Sequence, residues 1–162
     1  MANTFEGGKS PAIKISQKWL RFYQSFCKRG QTQVESCELF DKYTNLYTLC
    51  SVIGYNIGHK TPLESQTASP FTLEQVGETY EWTTLIAIAY ADTNQDDSVF
   101  MDSRRILNIC DEYAETGIRW IIEQYPFNII YKDGNIYNYD KIDLEQQVML
   151  LIRQQKSEHA LI

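Results

Sequence analysis

Three places in this chain of 162 residues hold side chains whose types and spacing could do chemistry. The first is Gly54 to Thr61, which reads G-x-x-x-x-H-K-T, one position short of the phosphate loop G-x-x-x-x-G-K-[ST]. His59 stands where a glycine would let the backbone wrap a phosphate. Pro62 and the Ser/Thr-rich stretch after it disfavour the helix that such a loop must open. The segment reads as a loop carrying His59 and Lys60, and a small hydrolase or nucleotide binder built on it ranks third among the functional readings.

The second place is the acidic run Asp92-Thr-Asn-Gln-Asp-Asp97, whose D-x-N-x-D opening matches the start of a calcium-binding EF-hand loop. Position six is then Asp97 where the sharp turn requires glycine, and position twelve is Ser103 where a bidentate glutamate is required. A solvated loop that starts a helix fits it better. The third place is the carboxylate pair Asp111–Glu112 with Glu115 one turn on, a spacing that suits acid/base work. On the helix drawn below they fall on the polar side, where a solvated acidic face is expected. His59 and His159 have no cysteine or hydroxyl partner at a recognisable spacing, and Cys27, Cys37, Cys50 and Cys110 show no C-x-x-C. The sequence therefore calls for no metal, no cofactor and no defined catalytic residues.

The stretch from Ser98 to Tyr125 must position much of this. On a helix, Ile106, Ile109, Cys110, Tyr113, Ala114, Gly117, Trp120 and Ile121 share one side, which Leu107 and Ile118 widen. Such a broad apolar arc predicts a central helix, capped by Asp102 and stopped by Pro126. Gly117 near the middle of that arc predicts close approach of a second helix. That partner is expected over Leu39 to Tyr55, with Phe40, Tyr43, Leu46, Tyr47, Leu49, Cys50 and Ile53 as its apolar positions.

Elsewhere, residues 1–10 read as a loose tail, and Pro11 opens a helix to about Arg29 with Ile15, Trp19, Phe22 and Phe26 inward. Lys14, Lys18, Arg21, Lys28 and Arg29 form a basic stripe on it. A short helix is expected from Phe71 to Gly77 and a buried one around Trp82 to Ala91. FNIIYKDGNIYNY reads as a β-hairpin at about 127–139, leaving Tyr131, Tyr137 and Tyr139 available for contacts. A last helix runs from about Asp143 to Lys156, and 159–162 fray. The expectation is a mainly α single domain over 11–158, of five or six helices with one small hairpin near the C-terminus.

Up to residue 33, six basic residues stand against Glu6, a net +5; the remaining nine basic and twenty acidic residues give −11. An acidic body with a basic N-terminal segment excludes whole-surface nucleic-acid binding but allows a local patch. No apolar run approaches the roughly 20 residues needed to span a bilayer, and MANTFEGGKSP lacks the layout of a signal peptide. The widely spaced cysteines suit a reducing compartment, so a cytoplasmic location is expected.

Two segments, LYTLCSVIGYNIGHKTPLES and LIAIAYADTNQDDSVFMDSRRILNICDEYAETGIRWI, taken together resemble the small proteins associated with bacterial DNA phosphorothioation (Dnd) systems. The resemblance spans roughly residues 39 to 125 and rests on Gly54, Tyr55, Pro62, Leu63, Tyr113, Ala114 and Gly117. It implies an accessory protein encoded beside the genes that replace a phosphate oxygen with sulfur and attack unmarked DNA in anti-phage defence. It carries over no catalytic residue. The expected function is a non-enzymatic adaptor of such a modification or restriction complex, acting through protein–protein contacts. The alternative is a DNA-contacting module that uses Lys14, Lys18, Arg21, Lys28 and Arg29.

Overall fold

The computed structural model describes residues 10–27, 40–76, 80–124, 130–132, 135–137 and 153. Its elements are strand β1 (Ala12–Ser16), a 3-10 turn (Gln17–Trp19), helix α1 (Leu20–Phe26), α2 (Tyr43–Ile57), strand β2 (Thr67–Thr72), the single turn α3 (Leu73–Val76), α4 (Tyr80–Asp92), a 3-10 turn (Asp97–Met101) and α5 (Ser103–Gln124). Two three-residue strands follow, β3 (Ile130–Lys132) and β4 (Asn135–Tyr137), paired antiparallel. The described residues are mostly helical.

Helices α2 and α5 form the centre and run antiparallel. A methyl group added to Gly54 would lie 2.0 Å from the Tyr113 carbonyl oxygen, and one added to Gly117 would lie 1.9 Å from that of Cys50. Each glycine thus lets the other helix's backbone approach closer than any side chain allows. This is the close approach that Gly117 led us to expect. Around the seam, Leu46, Tyr47, Cys50 and Ile53 of α2 meet Ile106, Leu107, Cys110, Ala114 and Ile118 of α5, all buried. Asp102 caps α5 as expected, its Oδ1 accepting the Arg105 N–H at 2.9 Å. Helix α2 runs two residues beyond its expected end. Gly54 lies inside it, and Gly58, at φ 78°, supplies the left-handed residue after the last turn.

The sheet that packs on the core is the pair β1–β2 towards the N-terminus, which the sequence did not announce; the β3–β4 pair lies within the hairpin expected at about 127–139. Pro11 opens a strand rather than a helix: Ile13 and Ile15 are buried on either side of exposed Lys14, a period of two. Helical spacing takes over only with Leu20, and α1 then buries Phe22, Tyr23 and Phe26. β1 pairs antiparallel with β2, Ile13 opposite Phe71 and Ile15 opposite Ala68. Lys14 alone therefore faces two residues, Ser69 and Pro70, a bulge that accommodates a proline within a strand. Phe71 closes the sheet onto the helices, its ring 5.6 Å from that of Tyr47 and 6.2 Å from that of Tyr43.

Helix α4 flanks the central pair. It buries Leu85, Ile88 and Ala89, but Ala87 and Ala91 are exposed, so it is less enclosed than its composition suggested. Residues 1–9 of the expected tail (1–10), the connection with Cys37 and the C-terminal end (159–162) lie outside the described residues. So do the side chains of Tyr131, Tyr137 and Tyr139. Of the expected last helix only Arg153 is described, and it is helical. Among the described residues no helix is long and apolar enough to cross a membrane.

Candidate functional site

The charged residues of α5 do not form the solvated face expected of them. Asp111 is 3% exposed and Glu115 2%, on the side of the helix that β1 and the first 3-10 turn cover; only Glu112 is half-buried. The reason lies in the edge of β1. Its other edge pairs with β2, which leaves Ala12 C=O and Lys14 N–H pointing at α5. Arg104 donates to Ala12 O at 2.8 Å, and the Asp111 carboxylate accepts the Lys14 N–H at 3.4 Å on both oxygens. Two side chains seven residues apart on α5 thereby do for the strand edge what a third strand would do. Tyr47 of α2 completes the group, its hydroxyl donating to Asp111 Oδ1 at 2.7 Å.

Burial raises the Asp111 carboxyl to about 7, against the opposing pull of the Tyr47 hydroxyl, the Lys14 N–H and the Arg104 and Lys14 charges. Burial and the Asp111 charge together push the Tyr47 phenol well above its ordinary range. This is a carboxyl poised near neutrality, a property that acid/base catalysts share, but it sits beneath a strand and holds that strand in place.

One turn along, Glu115 anchors a chain of alternating charge. Its Oε1 lies 3.7 Å from Arg119 Nη2 and 3.9 Å from Lys18 Nζ, without a hydrogen bond, and Lys18 also pairs with Glu64. The Lys18 ammonium rests 4.6 Å from the centre of the Trp19 ring. The expected basic stripe is therefore not one face of one helix. Lys14 lies exposed on β1, Lys18 is held by carboxylates in the 3-10 turn, and Arg21 is exposed on α1. Lys28 and Arg29 lie outside the described residues.

His59 and Lys60 follow Gly58 in an irregular segment that leads to β2, with no helix directly after it. His59 is exposed. Lys60 donates to Asp92 Oδ2 at 2.8 Å, Tyr113 donates to Asp92 Oδ1 at 2.7 Å, and the ammonium lies 5.7 Å from the centre of the Tyr113 ring. Thr61 pins the same segment to α5: its N–H donates to Glu112 O at 3.3 Å and its hydroxyl bonds that of Thr116 at 2.8 Å. Lys60 thus ties its loop to the last residue of α4 and to the middle of α5. In the acidic loop, Asp92 takes these two donors, while Asp96 accepts the Ser98 N–H at 2.9 Å and Arg105 Nη1 at 3.0 Å. Among the described residues no group of three or more His, Cys, Asp or Glu is placed to hold a metal ion.

Cys27, Cys50 and Cys110 are buried, with no exposure. Burial holds Cys50 and Cys110 above the ordinary thiol range, the protonated and unreactive form. Sequence reasoning missed the burial of Asp111 and Glu115 because it treated the apolar arc as the whole buried surface of α5. No family model, curated protein or solved structure matches the chain.

Proposed function

We propose that the chain is a non-enzymatic accessory subunit that works through protein contacts, in a bacterial assembly for DNA phosphorothioation-linked modification or restriction. The observation that carries the first half is where the reactive side chains are used. Asp111, Arg104, Glu115, Lys60 and Asp92 each make a contact that joins one element to another, and the described thiols are buried. Among the described residues the most exposed large apolar side chains are Tyr80, Phe100 and Met101, at 83%, 49% and 90%. Exposed aromatic and methionine side chains suit recognition of another protein.

The second half is supported by the resemblance and by the position of its residues. Gly54 and Gly117 make the two backbone contacts of the α2–α5 seam, and the Tyr113 ring packs edge-on to that of Tyr55 at 5.6 Å. The resembling segments thus form one packing unit, the part of a fold that relatives are expected to keep in common.

The test is affinity purification of the tagged chain from its native host, before and after nuclease treatment. Modification or restriction subunits recovered equally in both is the expected result. Recovery that disappears with nuclease would overturn the protein-contact reading in favour of DNA contact through Lys14, Arg21 and their neighbours. Turnover of DNA or nucleotide by the pure chain, abolished by a point substitution, would overturn the non-enzymatic part.

A further inference from the structure

The link between α4 and α5 presents an apolar knob on an acidic base. Phe100 stacks on Tyr90 with ring centres 5.0 Å apart and planes 23° from parallel, and Met101 beside it is 90% exposed. The turn that carries them is fixed at several points. Val99 is wholly buried beneath it, the Asp96 carboxylate accepts the Ser98 N–H, Arg105 Nη1 bridges Asp96 and Ser98 Oγ at 3.0 and 3.1 Å, and Asp102 caps the helix that follows. A turn held this firmly offers Phe100 and Met101 in place before any partner arrives, so little ordering is needed on binding.

Carboxylates outnumber cations around the knob: Asp96, Asp97 and Asp102 stand against Arg105, which pairs with Asp96. Asp97 and Asp102 are exposed on either side of it, and Asp97 also faces the Tyr90 phenol. Of the two cations nearest in sequence, Arg105 is paired within the turn to Asp96, and Arg104 reaches away to the carbonyl of Ala12. We infer that the turn Asp97–Met101, with Tyr90, docks a segment of a partner protein that inserts an apolar side chain between flanking lysines or arginines. A second copy of this chain meeting it through the same turn would bring the same acidic rim to the contact and be repelled. The inference rests on the protein-contact reading above and adds the surface and the chemistry of what it meets.

The sequence contains three methionines, Met1, Met101 and Met149, so methyl-labelled methionine gives the full chain a spectrum of three signals. Met101→Leu assigns the one of interest. The probe is a synthetic peptide with leucine and arginine at helical spacing, compared with the same peptide carrying glutamate for arginine. The arginine peptide is expected to shift the Met101 methyl, with an affinity about tenfold lower at high salt than at low salt, because exposed charges are screened. Phe100→Ala should weaken it by about tenfold as well, as loss of an aromatic anchor does. An unmoved Met101 signal, equal binding of the glutamate peptide, or indifference to Phe100→Ala would each overturn the inference.

The two readings fail separately. Nuclease-resistant recovery of subunits by a folded F100A/M101A variant, as efficient as with the wild type, overturns this surface and leaves the accessory role standing. A responsive Met101 with no subunits recovered from the host supports the surface and removes the accessory role.

Discussion

Asp111 is the residue at which fold and electrostatics can be separated by experiment. Its folded value of about 7 lies above the ordinary 3.8, so the native state binds this proton more tightly than the unfolded chain. The stability linked to it is fully present below pH 4 and is lost progressively as pH rises to about 7. That loss amounts to about 4 kcal/mol, at ~1.4 kcal/mol per unit. Asp111→Asn keeps an acceptor for Tyr47 and for the Lys14 N–H but cannot ionise. Urea denaturation at pH 5 and pH 8 should show the variant gaining on the wild type by about 2–3 kcal/mol at the higher pH, the rest of the linkage being lost already below pH 5. A gap that does not change with pH would mean that Asp111 is not buried as an acid beneath β1. None of this was legible in the sequence. Asp111 is adjacent to Cys110, a core residue, and only the presence of an unpaired strand edge decides that a carboxylate belongs there.

At the scale of elements, the α2–α5 seam was legible and the N-terminal strand was not. Gly117 in a broad apolar arc announced a close helix, because a mid-helix glycine costs about 1 kcal/mol relative to alanine unless packing repays it. Gly54 read instead as the first glycine of an incomplete phosphate loop, since its contact lies on a helix 59 residues further along. Gly54→Ala and Gly117→Ala each place a methyl carbon within 2.0 Å of a backbone oxygen that cannot rotate away. Each should destabilise by about 3 kcal/mol or more. Their effects should not add, because separating the two helices once relieves both contacts. Thermal and urea melts of both singles and the double test this, and strict additivity would contradict a shared seam. β1 was misread because Ile15, Trp19, Phe22 and Phe26 do keep helical spacing. The competing signal, Ile13 and Ile15 about Lys14, is only three residues long, and it prevails because β2 arrives to pair with it.

For the whole molecule, the division of charge in the sequence was visible but not its use. Lys18 and Arg104, which look like surface cations, are held by Glu64 and Glu115 and by a strand carbonyl. Acidic residues thus neutralise part of the N-terminal charge, while the apolar exposure lies at the other end of the charge scale, beside Asp97 and Asp102. Charged groups hold the elements together, and the exposed apolar surface at Phe100 and Met101 is the one proposed to meet a partner. The most direct test is complementation of a native host deleted for this chain, scored for phosphorothioate content and restriction of phage. Asp111→Asn, folded at wild-type levels, should restore whatever the wild type restores, whereas F100A/M101A should not. A folded Asp111→Asn that fails to complement would put that carboxyl in the chemistry and contradict the account.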